Sequence, residues 1–274
     1  MLMKVNKYLI SLFFSCKDTN IIGIFANFAS KFLNKMKKLL VLISILSAFV
    51  GTLYAQDTLT VTPANPNIFC EDTCSHVHGI DLSHYQGQVF WEAVGDNTKM
   101  AYVYLKATEG GDRIDAMFER NIELAHRHGL KVGSYHFYRP LTDQQKQLQN
   151  FMSQCLPGEQ DLVPMIDIES TGGLSTDVFC DSLFYFLDLV EDAYHQKPLL
   201  YTGRNFYNKH LKGKIDDYKL MIAMYTDEPP VLADDRDYTM WQYTAKGRIV
   251  GVNGFVDKSR FMGKHSLREI RFKH

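Results

Sequence analysis

Between Gly79 and Tyr225 the sequence alternates two kinds of segment, and this alternation limits the chain to very few folds. The runs Tyr102-Val103-Tyr104-Leu105, Lys131-Val132-Gly133-Ser134-Tyr135, Leu162 to Ile168, Pro198 to Tyr201 and Leu220 to Tyr225 are short and apolar on both faces, as strands buried between two layers must be. Between them lie segments whose apolar residues recur at helical spacing. Asp115 to His128 puts Phe118, Ile122 and Ala125 on one face and meets Gly129, a helix-stopping residue. Asp143 to Leu156 aligns Leu148, Phe151, Met152, Cys155 and Leu156, and Ser175 to Tyr194 aligns Phe179, Leu183, Phe186 and Val190. At least four such units in succession predict an α/β fold with parallel strands, and the length favours a TIM-type (β/α) barrel over an open sheet. After Tyr225 the helical pattern fades and the tail becomes β-rich, through Met240 to Tyr243, Ile249-Val250 and Gly254 to Asp257.

The N-terminal part has a different character. From Met36, Lys37-Lys38 precede an apolar run, Leu39 to Val50, and small residues ending at Ala55, which is the layout of a secretory signal peptide. The run is too short for a mature membrane span, which needs about 20 residues. The expected organisation is an extension and signal over 1–55, with the signal at 36–55, a Thr/Pro/Asn-rich linker over 56–75, and one domain over 76–274, exported to the periplasm or secreted. An earlier apolar patch ending at Ser15-Cys16 allows a lipoprotein leader as the alternative. The first 55 residues hold seven of the 30 basic residues and one of the 31 acidic ones, so the remainder carries a charge near −7. With that sign and no basic stripe, a nucleic-acid partner is not expected. Four cysteines follow the signal: Cys70, Cys74, Cys155 and Cys180. In an exported chain they suit two disulfides, for which Cys70–Cys74 and Cys155–Cys180 is the preferred pairing, with buried thiols as the alternative.

The chemistry-bearing residues cluster at strand ends. Asp167-Ile168-Glu169 closes an apolar run, and residues i and i+2 of a strand share a face roughly 6.5–7 Å apart. At the C-terminal end of a barrel strand that face opens into the active-site mouth. Two like charges there would raise one pKa, as a general acid requires. Asp81, in Gly79-Ile80-Asp81, and Asp257, in Phe255-Val256-Asp257, occupy comparable positions, although each alone could be a turn or cap residue. Aromatics recur at the same level: Tyr135, His136, Phe137, Tyr138, Tyr201, Tyr225, Trp241 and Tyr243. Aromatic planes stack on sugar C–H faces and tyrosine hydroxyls bond ring substituents, so acids rimmed by these residues suit a glycan, with core packing as the alternative for each.

The set Gly79-Ile80-Asp81-Leu82-Ser83-His84-Tyr85-Gln86-Gly87, Trp91, Lys106 to Gly110, Val132 to Phe137, Asp167-Ile168-Glu169, Leu200-Tyr201-Thr202, Trp241-Gln242-Tyr243 and Val256-Asp257 resembles the glycoside hydrolase family 25 lysozymes, which are N-acetylmuramidases. The match runs in order from about residue 78 to 263. The resemblance implies a modified barrel of eight strands with helices missing towards the C-terminal end. It implies hydrolysis of the β-1,4 bond between N-acetylmuramic acid and N-acetylglucosamine in peptidoglycan; separately, a monomer without cofactor or metal is expected. By position Glu169 matches the family's acid/base, Asp167 the acid beside it, and Asp81 and Asp257 the two other cleft carboxylates. The family is thought to use the substrate's 2-acetamido oxygen as nucleophile, with Asp167 orienting it. Two departures stand out. No Trp precedes Ala-x-Tyr in Met221-Ile222-Ala223-Met224-Tyr225, and the usual Asp-Leu-Asn reads Asp257-Lys258-Ser259, so altered subsite preference is expected.

Other constellations are weaker. His76/His78 and His126/His128 lack metal-ligand spacing, and no Gly-x-Ser-x-Gly elbow or phosphate loop occurs. A chitinase-like barrel would usually place another Asp two positions before the Asp-x-Glu pair, where this chain has Met165. A wall-binding module without turnover is the remaining alternative, and the complete acid set argues against it.

Overall fold

The computed structural model describes residues 76–274. The signal and linker segments and the Cys70–Cys74 pair lie outside the described residues. The strands are β1 (His78–Leu82), β2 (Met100–Glu109), β3 (Arg113–Ile114), β4 (Lys131–Phe137), β5 (Met165–Asp167), β6 (Leu199–Gly203), β7 (Leu220–Ala223), β8 (Met240–Gly247) and β9 (Val256–Phe261). Eight of them close into a barrel in the order β1-β2-β4-β5-β6-β7-β8-β9, with β9 returning to β1, while β3 is a short antiparallel strand on the end of β2. Neighbours from β1 round to β8 are parallel. The alternating units up to Tyr225 give the expected parallel strands, and in the β-rich tail β9 runs antiparallel to both β8 and β1. The reason is the connection: only residues 248–255 link β8 to β9, too few for a crossover helix, and parallel strands need a dozen or more.

The helices are α1 (Trp91–Gly95), α2 (Phe118–Arg127), α3 (Gln144–Met152) and α4 (Thr176–Tyr194). Asp143 caps α3 through the Lys146 N–H at 2.9 Å, and Ser175 caps α4 through Val178 N–H, so both helices start where the sequence pattern says. α2 starts three residues later than its pattern. The Asp115 carboxylate takes the Met117 N–H and both the backbone N–H and ring of His84, which holds Asp115 outside the helix. β6 and β7 are linked by a three-residue helix and a π turn, Tyr207–Leu211, and residues 224–239 link β7 to β8 without a helix. The expected fading of helices towards the C-terminus is therefore present.

Period-2 alternation sorts each strand into two layers. Outward residues such as Val103, Leu105, Val132, Ile166, Leu200 and Ile222 pack under the helices. Inward residues Tyr102, Tyr104, Met165, Leu199, Met221 and Met240 fill the barrel. The two interior tyrosines require glycine beside them. Gly79 lies opposite Tyr102 and Gly133 opposite Tyr104, and a Cβ on either would come within 2.0 or 2.3 Å of the ring. Cys155 and Cys180 are both buried and unpaired, which corrects the expected disulfide between them. Cys155 lies beyond the end of α3 and accepts the Tyr194 hydroxyl on its carbonyl, whereas the Cys180 thiol, on α4, donates to the His210 carbonyl.

Gly133→Ala is expected to destabilise the domain by about 1–3 kcal/mol through overpacking against Tyr104. Urea unfolding would read this, and a companion Tyr104→Phe substitution should leave most of the penalty in place, because the clash is with the ring.

Candidate active site

The C-terminal ends of the parallel strands and the start of the antiparallel β9 bring four acids to one mouth. Asp81 leaves β1 inward, and Asp257 faces it directly across the β1–β9 ladder. Asp167 ends β5, and Glu169 follows two residues on, along the same face. These four line one cleft with Lys106, Tyr135, Phe137, Tyr201 and Gln242. Asp81 and Asp167 are buried, whereas Glu169 stands at the open rim.

Burial and mutual repulsion set the charge state. Desolvation pushes the Asp81 carboxyl up to about 7, with the Asp257 charge adding to it and a hydrogen bond from Gln242 opposing it. Asp257 is pushed up to about 6 by burial and by Glu169. Asp167 lies well above the usual carboxylate range, through burial first and then Glu169. Glu169 is also raised by desolvation, with the cations Lys106 and Arg139 pulling the other way. One oxygen each of Asp81 and Asp167 is buried without a hydrogen-bond partner among the described residues.

Two residues that sequence reasoning left without a role organise this site. The Gln242 amide donates to Asp81 at 2.8 Å, and its carbonyl oxygen accepts the hydroxyls of Tyr201 and Tyr225, each at 2.9 Å. It thereby fixes an acid and two aromatic walls at once. Lys106 reaches Glu109 at 2.7 Å and sits over the Phe137 ring. The signal for both was available. Gln242 alternates with Met240 and Lys106 with Tyr104 and Tyr102, so both polar side chains fall on the interior face of their strands.

The same alternation divides the aromatics. Tyr135 and Tyr201 face the cleft, and Tyr225 overhangs it, half exposed. His136 and Tyr138, expected to meet a ligand, point outward into the helix layer. His136 is fully buried between the Thr108 hydroxyl at 2.8 Å and Gln147 at 3.2 Å, and burial lowers its pKa to about 4, so the ring is neutral. Tyr138 stacks on Phe186 and donates to Ser182. Trp241 is likewise on the outer face: its indole N–H donates to the Met224 carbonyl, Arg260 covers its ring, and with Tyr243 it borders a separate groove beyond Tyr225. Phe137, adjacent to His136, is the aromatic that the cleft receives instead.

Of the histidine pairs, His126 meets Asp161 at 3.3 Å and His78 is buried in β1. Among the described residues no group of three or more His, Cys, Asp or Glu side chains is arranged to hold a metal ion.

A barrel whose mouth combines acids at strand ends with aromatic walls is the arrangement of an enzyme that cleaves glycosidic bonds. The family model for glycosyl hydrolases family 25 matches residues 80–252. Lysozyme M1 of Streptomyces globisporus is 31% identical over 228 residues, covering 78% of this chain and 76% of its own. The uncharacterized protein YegX of Escherichia coli K12 is 31% identical over 191 residues, covering 68% and 70%. The crystal structure of a bacterial lysozyme from Streptomyces coelicolor superimposes with a TM-score of 0.64 at 30% identity, over 71% of this chain and 95% of that one. The chain belongs to glycosyl hydrolases family 25 and is a glycoside hydrolase of the lysozyme class.

The two departures from the family pattern fall into place structurally. Met221 is buried inside the barrel. Lys258 lies on the outer face of β9, while Ser259 points inward and shares a hydrogen bond with the Tyr102 hydroxyl at 2.9 Å.

The crowded acids make stability fall as pH rises. A folded-state pKa raised from about 4 to the value near 7 of Asp81 means that the folded chain keeps a proton the unfolded chain has lost. That contribution is complete below about pH 4 and disappears as pH climbs through about 7. Asp81→Asn retains an acceptor for Gln242 without the charge. It should raise the melting temperature by at least about 3 °C near pH 8 and change it little near pH 4, as followed by circular dichroism.

Proposed function

We propose that this chain is a peptidoglycan muramidase that hydrolyses the β-1,4 bond between N-acetylmuramic acid and N-acetylglucosamine, with Glu169 as general acid and then general base. The observation that carries this reading is the division of labour at the end of β5. Two acids on one strand face differ in exposure, with Asp167 buried and Glu169 open to an incoming glycosidic oxygen. The names of the family relatives support the substrate class.

In the first step the protonated Glu169 carboxyl gives its proton to the glycosidic oxygen as the bond to the anomeric carbon breaks. The 2-acetamido carbonyl oxygen of the same sugar bonds to that carbon and forms a cyclic oxazolinium ion. Asp167, lining the cleft on the same strand face as Glu169, is suited to accept the acetamide N–H and so orient and stabilise this cation. Glu169, now ionised, then takes a proton from water as that water attacks the anomeric carbon and reopens the ring. Substrate-assisted cases of this kind fall outside the usual relation between carboxylate spacing and stereochemistry. Asp81 and Asp257 hold substrate and, by their charge, help to keep Asp167 protonated to higher pH. Export, as the sequence over 36–55 predicts, would place the enzyme with its substrate.

Glu169→Gln should lower kcat by about 10²–10⁴-fold while leaving the circular dichroism spectrum unchanged. Mass analysis of fragments released from purified peptidoglycan should show muramic acid at the new reducing ends with the parent protein only. New ends carrying N-acetylglucosamine would refute the bond assignment, and a folded parent protein releasing nothing from several wall types would refute turnover. The parent rate should fall as pH rises past the raised Glu169 pKa, since the acid form is the donor.

A further inference from the structure

Next to the catalytic cleft, on the same face of the barrel, lies a second groove of opposite charge. Its walls are the turn between β2 and β3, the segment from Arg139 to Lys146 that leads into α3, and the residues just after Glu169, from Ser170 to Gly172. Arg113, Arg139 and Lys146 line it, with Glu109 and Asp112 as the opposing charges. The Glu109 carboxylate accepts from Lys106 and Arg113 at 2.7 Å and from Arg139 at 2.6 Å. Desolvation works against its charge, but the hydrogen bonds from Lys106 and Arg139 prevail and hold it down to about 2, so it is ionised at every relevant pH. One carboxylate thus anchors three cations. Within the groove Arg113, Arg139 and Lys146 outnumber Glu109 and Asp112 by one, and the Arg113 side chain is 71% open to solvent and that of Arg139 about half. Lys146 is exposed and makes no ion pair among the described residues.

This charge is not background. The domain following the first 55 residues is net acidic, and the neighbouring cleft holds four carboxyl groups. The groove is also held in shape. The Asn150 side-chain amide, buried on α3, contacts the carbonyls of Glu109, Gly110 and Arg113, fixing the β2–β3 turn. The Arg139 guanidinium stacks 4.5 Å from the Phe137 ring centroid, which ties the groove to the wall of the cleft. Leu141, 72% exposed, gives the groove an apolar shoulder.

We propose that this groove is a binding site for the acidic peptide that branches from the muramic acid next to the scissile bond, with Arg113 and Lys146 engaging its free carboxylates. The inference rests on the muramidase reading for the identity of the branch. The acetylated sugar rings carry no charge to match these cations; the anions are the carboxylates of the lactyl-linked peptide close to the glycosidic bonds, and a strand without peptide keeps only the single lactyl carboxylate on each muramic acid. The groove begins at Ser170, one residue beyond Glu169, and the planar guanidinium groups match carboxylates in a bidentate manner. The apolar shoulder at Leu141 suits the short aliphatic side chains of such a peptide. The enzyme therefore selects peptide-substituted strands over bare ones.

The test compares kcat/KM on peptide-bearing glycan strands and on the same strands stripped of peptide by an amidase. The parent protein should favour the substituted strands by at least about 10-fold, a preference that shrinks at high salt. The Arg113→Ala/Lys146→Ala double variant should lose that preference, mostly through a higher KM, and keep its rate on bare strands. Equal kcat/KM on both strands with the parent protein, or an undiminished preference in the double variant, would overturn the proposal. If neither strand is cleaved, the muramidase reading fails, and calorimetric titration with a synthetic acidic tripeptide and its amidated counterpart decides the groove independently. Preferential binding of the free acid that is lost in the double variant supports an acidic-peptide site, and equal or no binding removes it.

Discussion

Closure of the barrel by β9 is the interaction on which the active site depends. Because this strand runs antiparallel to both β1 and β8, its inward residues meet theirs in fixed register, and Asp257 lies directly opposite Asp81. The same pairing sets Ser259 against Gly79 and Gln242, with Tyr102 filling the space that Gly79 leaves. Without closure, the acids of β1 and β9 would lie on opposite edges of an open sheet, with those of β5 in its middle, and could hydrate independently. With it, they share one poorly solvated mouth. Desolvation and repulsion then keep protons on carboxyl groups that would otherwise be ionised near neutrality.

That arrangement works against stability, because every buried acid disfavours the ionised form. The protein offsets this with polar groups placed on the interior face of the strands. Gln242 supplies a donor to Asp81 and an acceptor to two tyrosines, so no charge is needed to hold them. Lys106 works by charge: it is drawn to Glu109 and still acts on Asp167 and Glu169 from the side. The result is a graded field across the face of the barrel, acidic over the catalytic mouth and basic beyond Glu109, with Phe137 beneath both Lys106 and Arg139 at the boundary. A branched substrate with a neutral backbone and an anionic side chain fits such a gradient better than a linear neutral polymer does.

How much of this was legible in the sequence can be judged from particular residues. The helices around Phe118, Phe151 and Phe186, and the strands between them, followed from periodicity, because burial against one layer or two leaves a repeat that survives in linear order. Asp167 and Glu169 were legible because i and i+2 share a strand face. The same rule, applied to Tyr135 through Tyr138, separates Tyr135 and Phe137 from His136 and Tyr138. Treating that stretch as one aromatic cluster put His136 and Tyr138 in the cleft alongside Tyr135 and Phe137. Trp241 was misplaced for the same reason, since its partner in alternation is Tyr243 and the inward residue is Gln242.

The sequence by itself determined the layer each residue would occupy, the order of the elements and the four acids that had to converge at strand ends, because these depend on local periodicity and on the chemistry of single side chains. Only the tertiary structure decided what depends on closure and register. It set the direction of β9, left Cys155 and Cys180 unbridged, made Gln242 the common partner of Asp81, Tyr201 and Tyr225, and set a cationic groove beside an acidic cleft. Distances between residues far apart in the chain are fixed by how a sheet wraps and which strands meet, and no local pattern in the sequence carries that information.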